Sequence, residues 1–179
     1  DFYRINMTNA IDYSAIVGGA GDLGTNTNIT FTAGTSIYWY SNATPGTKLW
    51  TDVANWRLAP GGAGAGAGRI PLVQDNVFFD ASSVNVAGTI INTNSVRYLG
   101  KDINWSGVNY NPDWMITSAT IKGDLTLGAG MTMSGGNTLT LEGNYVGPTG
   151  PTYALTTNGV SITSNIRFFL SGKTLTLND

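Results

Sequence analysis

The chain has 179 residues, of which 41% are hydrophobic and only 11% charged, with 24 glycines, a single glutamate (Glu142), no histidine and no cysteine. The apolar share suffices for a packed core, while the charged share is about half the usual ~25%, so solubility rests on threonine, serine and asparagine. A net charge of −2 without a Lys/Arg cluster argues against nucleic acid or an anionic bilayer as partner, and no run of about 18 apolar residues is present to insert into a membrane. Missing histidine and cysteine exclude histidine-based triads, thiolate zinc sites and disulfides.

Threonine, valine, isoleucine and aromatics suit a pleated surface, and glycine with asparagine suits the turns between strands, so the expected class is all-β. Along the chain, residues 1–24 are the hardest to place. Ile11, Ala15 and Ile16 suit a short helix, but Gly18, Gly19, Gly21 and Gly24 end it. Ile29–Thr32, a turn at Ala33–Gly34 and Ile37–Tyr40 read as two strands meeting in a hairpin or a rung corner. Trp50 and Trp56 are six apart, an even number that places both on one side of an extended chain and so in a core.

Residues 61–68, an alternation of glycine and alanine, read as a surface loop rather than silk-like stacking. They are no phosphate cradle, because Arg69-Ile70-Pro71 follows. Strands are expected at 75–80, 88–91 and 95–99. Trp105 and Trp114 then bracket a turn-rich stretch containing Tyr110 and Pro112. From residue 117 the texture changes to short alternating strands at 119–127, 131–133, 138–142, 161–170 and 174–177, separated by Gly/Asn/Ser turns at 128–130, 134–137, 143–144, 158–159 and 171–173. Recurrence at irregular intervals of roughly 13 to 22 residues fits β-solenoid or β-helix-like rungs, or an elongated β-sandwich. Three parts are expected: N-terminal strands and turns of a preceding module (1–36), a Trp-rich β module (37–116), and rungs (117–179). The start at Asp1 and the strand-like ending read as a piece of a longer polypeptide.

Tyr38-Trp39, Leu49-Trp50-Thr51-Asp52, Asn55-Trp56, the glycine-rich insert, Ile70-Pro71 and residues 75–82 together resemble a recurrent module of large repetitive surface proteins. Such modules occur in secreted bacterial adhesin-like proteins, notably of Bacteroidetes type, and in tail-fibre or other structural proteins of bacteriophages. Residues 120–127, 139–145 and 156–159 are similar to the rungs that follow in that family. Residues 43–49 depart from it, standing where glycine-rich spacing usually precedes the first core tryptophan. The resemblance implies an elongated repetitive β architecture and life in a virion or at a cell surface. It also implies homo-oligomers, a trimer above all, among other virion or surface-structure proteins. It carries over no catalytic residue.

With histidine and cysteine absent, the route left to chemistry is a carboxylate pair, as in glycoside hydrolysis. Asp75 and Asp80 are five apart and point to opposite faces of a regular strand; parity does not decide Asp52 with Asp75 or Asp113 with Asp124. Asp52, Asp75, Asp80 and Asp102 read as turn caps, with calcium at Asp75 and Asp80 the alternative. The aromatic loop residues Trp105, Tyr110 and Trp114 are the candidates for stacking on a host-surface glycan. The Asn-x-Ser/Thr sequons at Asn6, Asn28, Asn42 and Asn104 are what chance gives in so Asn/Thr-rich a chain. The expected function is therefore a non-enzymatic fibre, spike or appendage segment of a bacteriophage, with no cofactor. A bacterial adhesin or extracellular filament subunit is the alternative, and a carbohydrate-binding module or glycan depolymerase the second.

Overall fold

A computed structural model describes residues 1–41, 44–62, 64–143, 152–170 and 172–179. The sequon at Asn42, Ala43 of the stretch 43–49, Ala63 of the glycine–alanine tract, Asn144 of the 143–144 turn, Tyr145 of the resemblance and Ser171 of the last turn lie outside these residues. The described chain is all-β, with no α-helix and two 3-10 turns.

The N-terminal part holds β1 (Asn6–Asp12) and β2 (Thr27–Thr30), paired in parallel through Asn6 with Thr27 and Ile11 with Ile29. The helix expected around Ile11–Ile16 does not form. Asp12 Oδ1 accepts the Ser14 N–H at 2.8 Å and turns the chain, and β1 instead finds its hydrogen bonds in β2. Phe2 packs on Tyr13 and Phe31 with ring centroids 5.3 and 5.7 Å apart. Gln74 ties this unit to the rest, donating to the carbonyls of Ala20 and Thr32 and accepting from the Asp22 N–H.

The remaining chain passes repeatedly through three sheets. β3 (Ser36–Trp39) and β4 (Gly46–Leu49) are followed by β5 (Trp56–Arg57), which turns back antiparallel on β3. The next circuit is β6 (Asn76–Phe78), β7 (Thr89–Asn92) and β8 (Tyr98–Gly100), and the third is β9 (Ile103–Asn104), β10 (Asp113–Met115) and β11 (Ala119–Ile121). The fourth is β12 (Leu125–Thr126), β13 (Thr132–Ser134) and β14 (Thr138–Glu142); β15 (Tyr153–Thr156), β16 (Asn165–Phe169) and β17 (Leu175–Asn178) complete the series. Sheet I has the order β17-β15-β12-β9-β6-β3-β5, sheet II β13-β10-β7-β4, and sheet III β16-β14-β11-β8. Every pairing between circuits is parallel. The stretch Ile29–Tyr40 is accordingly no hairpin: β2 and β3 belong to different sheets.

Register keeps like with like. In sheet I, Ile37, Val77, Ile103, Leu125, Leu155 and Leu177 form one column, so successive circuits consume 40, 26, 22, 30 and 22 residues. The extra length leaves at corners while the strand stays in step. A one-residue slip would turn each apolar column outward, so burial itself fixes the register. Ile91, Trp114 and Met133 align in sheet II, and Ala119 with Leu139 and Ile121 with Leu141 in sheet III. Apart from Leu177, these inward residues form one core cluster. The ladders run through residue 116 without interruption, so the expected Trp-rich module and the rungs share a single core rather than meeting at a boundary.

Where the circuits begin, the core is aromatic. Trp39, Trp50, Trp56, Trp105, Trp114 and Phe79 are all buried. Trp56 meets Trp39 and Trp50 edge-on with centroids 4.8 Å away, and Phe79 lies flat on Trp105 at 3.4 Å and 5°. Each such pair adds about 0.5–1.5 kcal/mol beyond the area it buries. Trp50 and Trp56 share the core, but not along an extended strand. A 3-10 turn at Val53–Asn55, capped by Asp52, separates them, and the Trp56 indole N–H donates to the Trp50 carbonyl at 2.9 Å. In the last circuit the same columns carry Phe168 and Leu177, which are substantially exposed.

Candidate functional site

The structure does not bring the expected aromatic platform together. Trp105 and Trp114 are fully buried, so no sugar ring can stack on them. Both follow the inward alternation of their strands, Ile103 to Trp105 and Trp114 to Ile116. Tyr110 is exposed, at a corner where it and Asn111 have φ of 62° and 46°.

The carboxylates are structural. Asp75 is completely buried and accepts from both terminal nitrogens of Arg69, from Leu72 N–H at 2.6 Å and from Thr35 N–H at 2.9 Å. Its lone pairs, weighed above as calcium ligands, face protein donors. Asp80 likewise accepts from the backbone N–H groups of Gly61 and Ser82 at 2.7 and 2.8 Å. Asp102 and Asp124 staple circuits, each accepting a backbone N–H one circuit on, from Asp124 and Ala154 at 2.9 Å. Asp113 accepts from Thr132 and Ser134 hydroxyls. Asp113 lies in sheet II and Asp124 at the start of a sheet I strand, and Asp52 caps its own 3-10 turn. Among the described residues no three acidic side chains group closely enough to hold a metal ion.

A different surface does collect recognition chemistry: the outward face of sheet III. Because alternate residues point outward, register lines up Tyr98, Thr120, Thr140 and Arg167 in one row. Glu142 pairs with Phe169 in the next row. Three adjoining hollows of about 350, 200 and 270 Å³ share these residues and run from Arg97 and Tyr98 to Arg167. Tyr3 and Leu23 of the N-terminal unit form part of one wall.

The charges in this groove are arranged in two ways. Lys122, only 5% exposed, is neutralised by Glu142 at 2.9 Å and lies 5.4 Å from the centre of the Tyr98 ring. Arg97 and Arg167 are exposed; each lies over its neighbouring ring, Tyr98 at 5.2 Å and Phe169 at 5.8 Å. The groove therefore offers two guanidinium groups, a row of threonine hydroxyls and two aromatic faces. Glu142, its carboxylate, is held by Lys122. Sequence reasoning missed these residues because they come from strands 20 to 27 positions apart (Tyr98 to Thr120, Thr120 to Thr140, Thr140 to Arg167). Their outward place in the alternation was the available signal.

Comparison with family models, with curated proteins and with solved structures returns no match to this chain.

Proposed function

We infer that this chain is a β-solenoid segment that serves as the shaft of an elongated appendage outside the cytoplasm, by preference a fibre or spike of a bacteriophage virion. The observation that carries the reading is the set of three parallel ladders, in register from circuit to circuit but for one shift between β8 and β11, with apolar columns inside and threonine-rich columns outside. A sandwich pairs its strands antiparallel and does not repeat them this way; a solenoid does. Such a stack is stiff because the middle circuits are bonded to their neighbours at three sheets and the outer ones at one or two. Asp75, Asp102, Asp113 and Asp124 hold circuits together, which supports a mechanical rather than an enzymatic role. Assembly as a homotrimer belongs to the same reading.

Antibodies raised against the chain test it, applied to intact particles and cells of the source. Decoration of a particle or cell-surface appendage in electron micrographs is the expected result; label confined to the cytoplasm would refute the reading. Light scattering checks the trimer, and a monodisperse monomer over a wide concentration range would exclude it.

A further inference from the structure

We propose that the groove on the outward face of sheet III binds an extended oligosaccharide bearing carboxylates. The argument starts from what a sheet face offers. The backbone N–H and C=O groups of β11 and β14 are taken by their own ladder, and those of the edge strands β8 and β16 point along the plane of the sheet, so a peptide laid on this face finds no strand to pair with. Recognition must come from side chains. Those present are hydroxyls that both donate and accept, from Thr120 and Thr140, ring faces from Tyr98 and Phe169, and the forks of Arg97 and Arg167.

Sugar hydroxyls match the threonines, pyranose faces match the rings, and a carboxylate matches a guanidinium in bidentate geometry. Arg97 adjoins β8 and Arg167 lies in β16, three strands away in the sheet. At ~4.8 Å per strand their backbone positions are about 14 Å apart, the span of an oligomer laid across the strands rather than of a single sugar. Two arginines in a chain of net charge −2 are too few to track a nucleic-acid backbone. Lys122 is already occupied by Glu142 and acts as a positioning residue, holding the Tyr98 ring in place. This site is additional to the shaft reading, and either can fail without the other.

Calorimetric titration of the full chain with oligosaccharides of polygalacturonate, alginate and hyaluronate tests the proposal, with a cellulose oligosaccharide of equal length and poly-glutamate as controls. At least one acidic oligosaccharide should bind, more weakly at about 150 mM salt than at about 20 mM. Arg97→Ala and Arg167→Ala should each weaken it about tenfold without moving the thermal midpoint, since both side chains are exposed. Arg167→Lys should recover part of the loss. No binding of any acidic oligosaccharide at millimolar concentration overturns the proposal. So does equal affinity for the neutral oligosaccharide or poly-glutamate, and so does unchanged affinity in the double arginine variant.

Discussion

Replacing Asp75 with alanine should be among the most damaging single changes in the molecule. Its carboxylate accepts from both terminal nitrogens of Arg69 and from the backbone N–H groups of Leu72 and Thr35. Asp75 is fully buried and the Arg69 side chain is 12% exposed. Alanine therefore strands a guanidinium with little access to water and two backbone donors, each worth about 1–3 kcal/mol when left unpaired. Removing one partner of a buried pair costs about 3–5 kcal/mol in total, a large part of the ~5–15 kcal/mol that holds a domain folded. Arg69→Met should cost less, because the carboxylate keeps its two backbone donors, and the double variant should cost less than the two single losses added together. Urea unfolding followed by tryptophan fluorescence reads all three, since the five indoles are buried. A loss below about 1 kcal/mol for Asp75→Ala, at unchanged denaturant slope, would show that water reaches Arg69 and that the pair is not the tie described.

Trp105→Ala should cost about 3–5 kcal/mol by opening a cavity beside Phe79. Thermal unfolding checks it, and an unchanged midpoint would place the ring at the surface instead. At Gly135, φ is +112° and an added Cβ would sit 2.1 Å from the Ile116 carbonyl oxygen. Gly135→Ala should accordingly destabilise by about 3 kcal/mol or more, whereas Gly136→Ala, at φ +62° with open space around it, should cost about 1 kcal/mol. Chemical denaturation of the two variants separates them. Asp179 accepts from the Thr157 hydroxyl and the Gly159 N–H, in that order of weight, and both bonds hold its carboxyl below the ordinary value of 3.8. Its contribution is thus fully present above that ordinary value and fades as pH falls through the lowered one. NMR titration should find the depressed midpoint, and Thr157→Val should raise it.

The inward residues of the later circuits were legible because alternation is a local signal: Ile121, Leu125, Leu127, Leu139 and Leu141 all point where a period of two puts them. The same signal existed at Ile103 and Trp105 and at Trp114 and Ile116, but the polar, turn-forming stretch between them made both indoles read as loop residues. β15 went unseen because prolines precede it and its four residues are too few to show a period. Parallel pairing was not legible in Ile29–Tyr40, since a turn of glycine and alanine between two β-prone runs suits a hairpin as well as a corner. The groove on sheet III was the least accessible part. Arg97 and Arg167 are 70 positions apart in the chain, and only the strand register brings them to one face.

The glycine–alanine tract reads as filler, yet it occupies a sensitive position. β5 closes one side of sheet I by pairing antiparallel with β3, and the tract then folds over β5: Leu58 N–H donates to the Ala65 carbonyl and Ala67 N–H to the Trp56 carbonyl. An unpaired strand at that side would be a template for any other chain with a free edge. Residues without side chains, or with only a methyl, can lie close against a backbone and occupy its hydrogen-bonding groups while offering a newcomer nothing to grip. On the shaft reading proposed above, copies of the chain lie close together. For such a chain, a small bland strap over an exposed edge protects against aggregation.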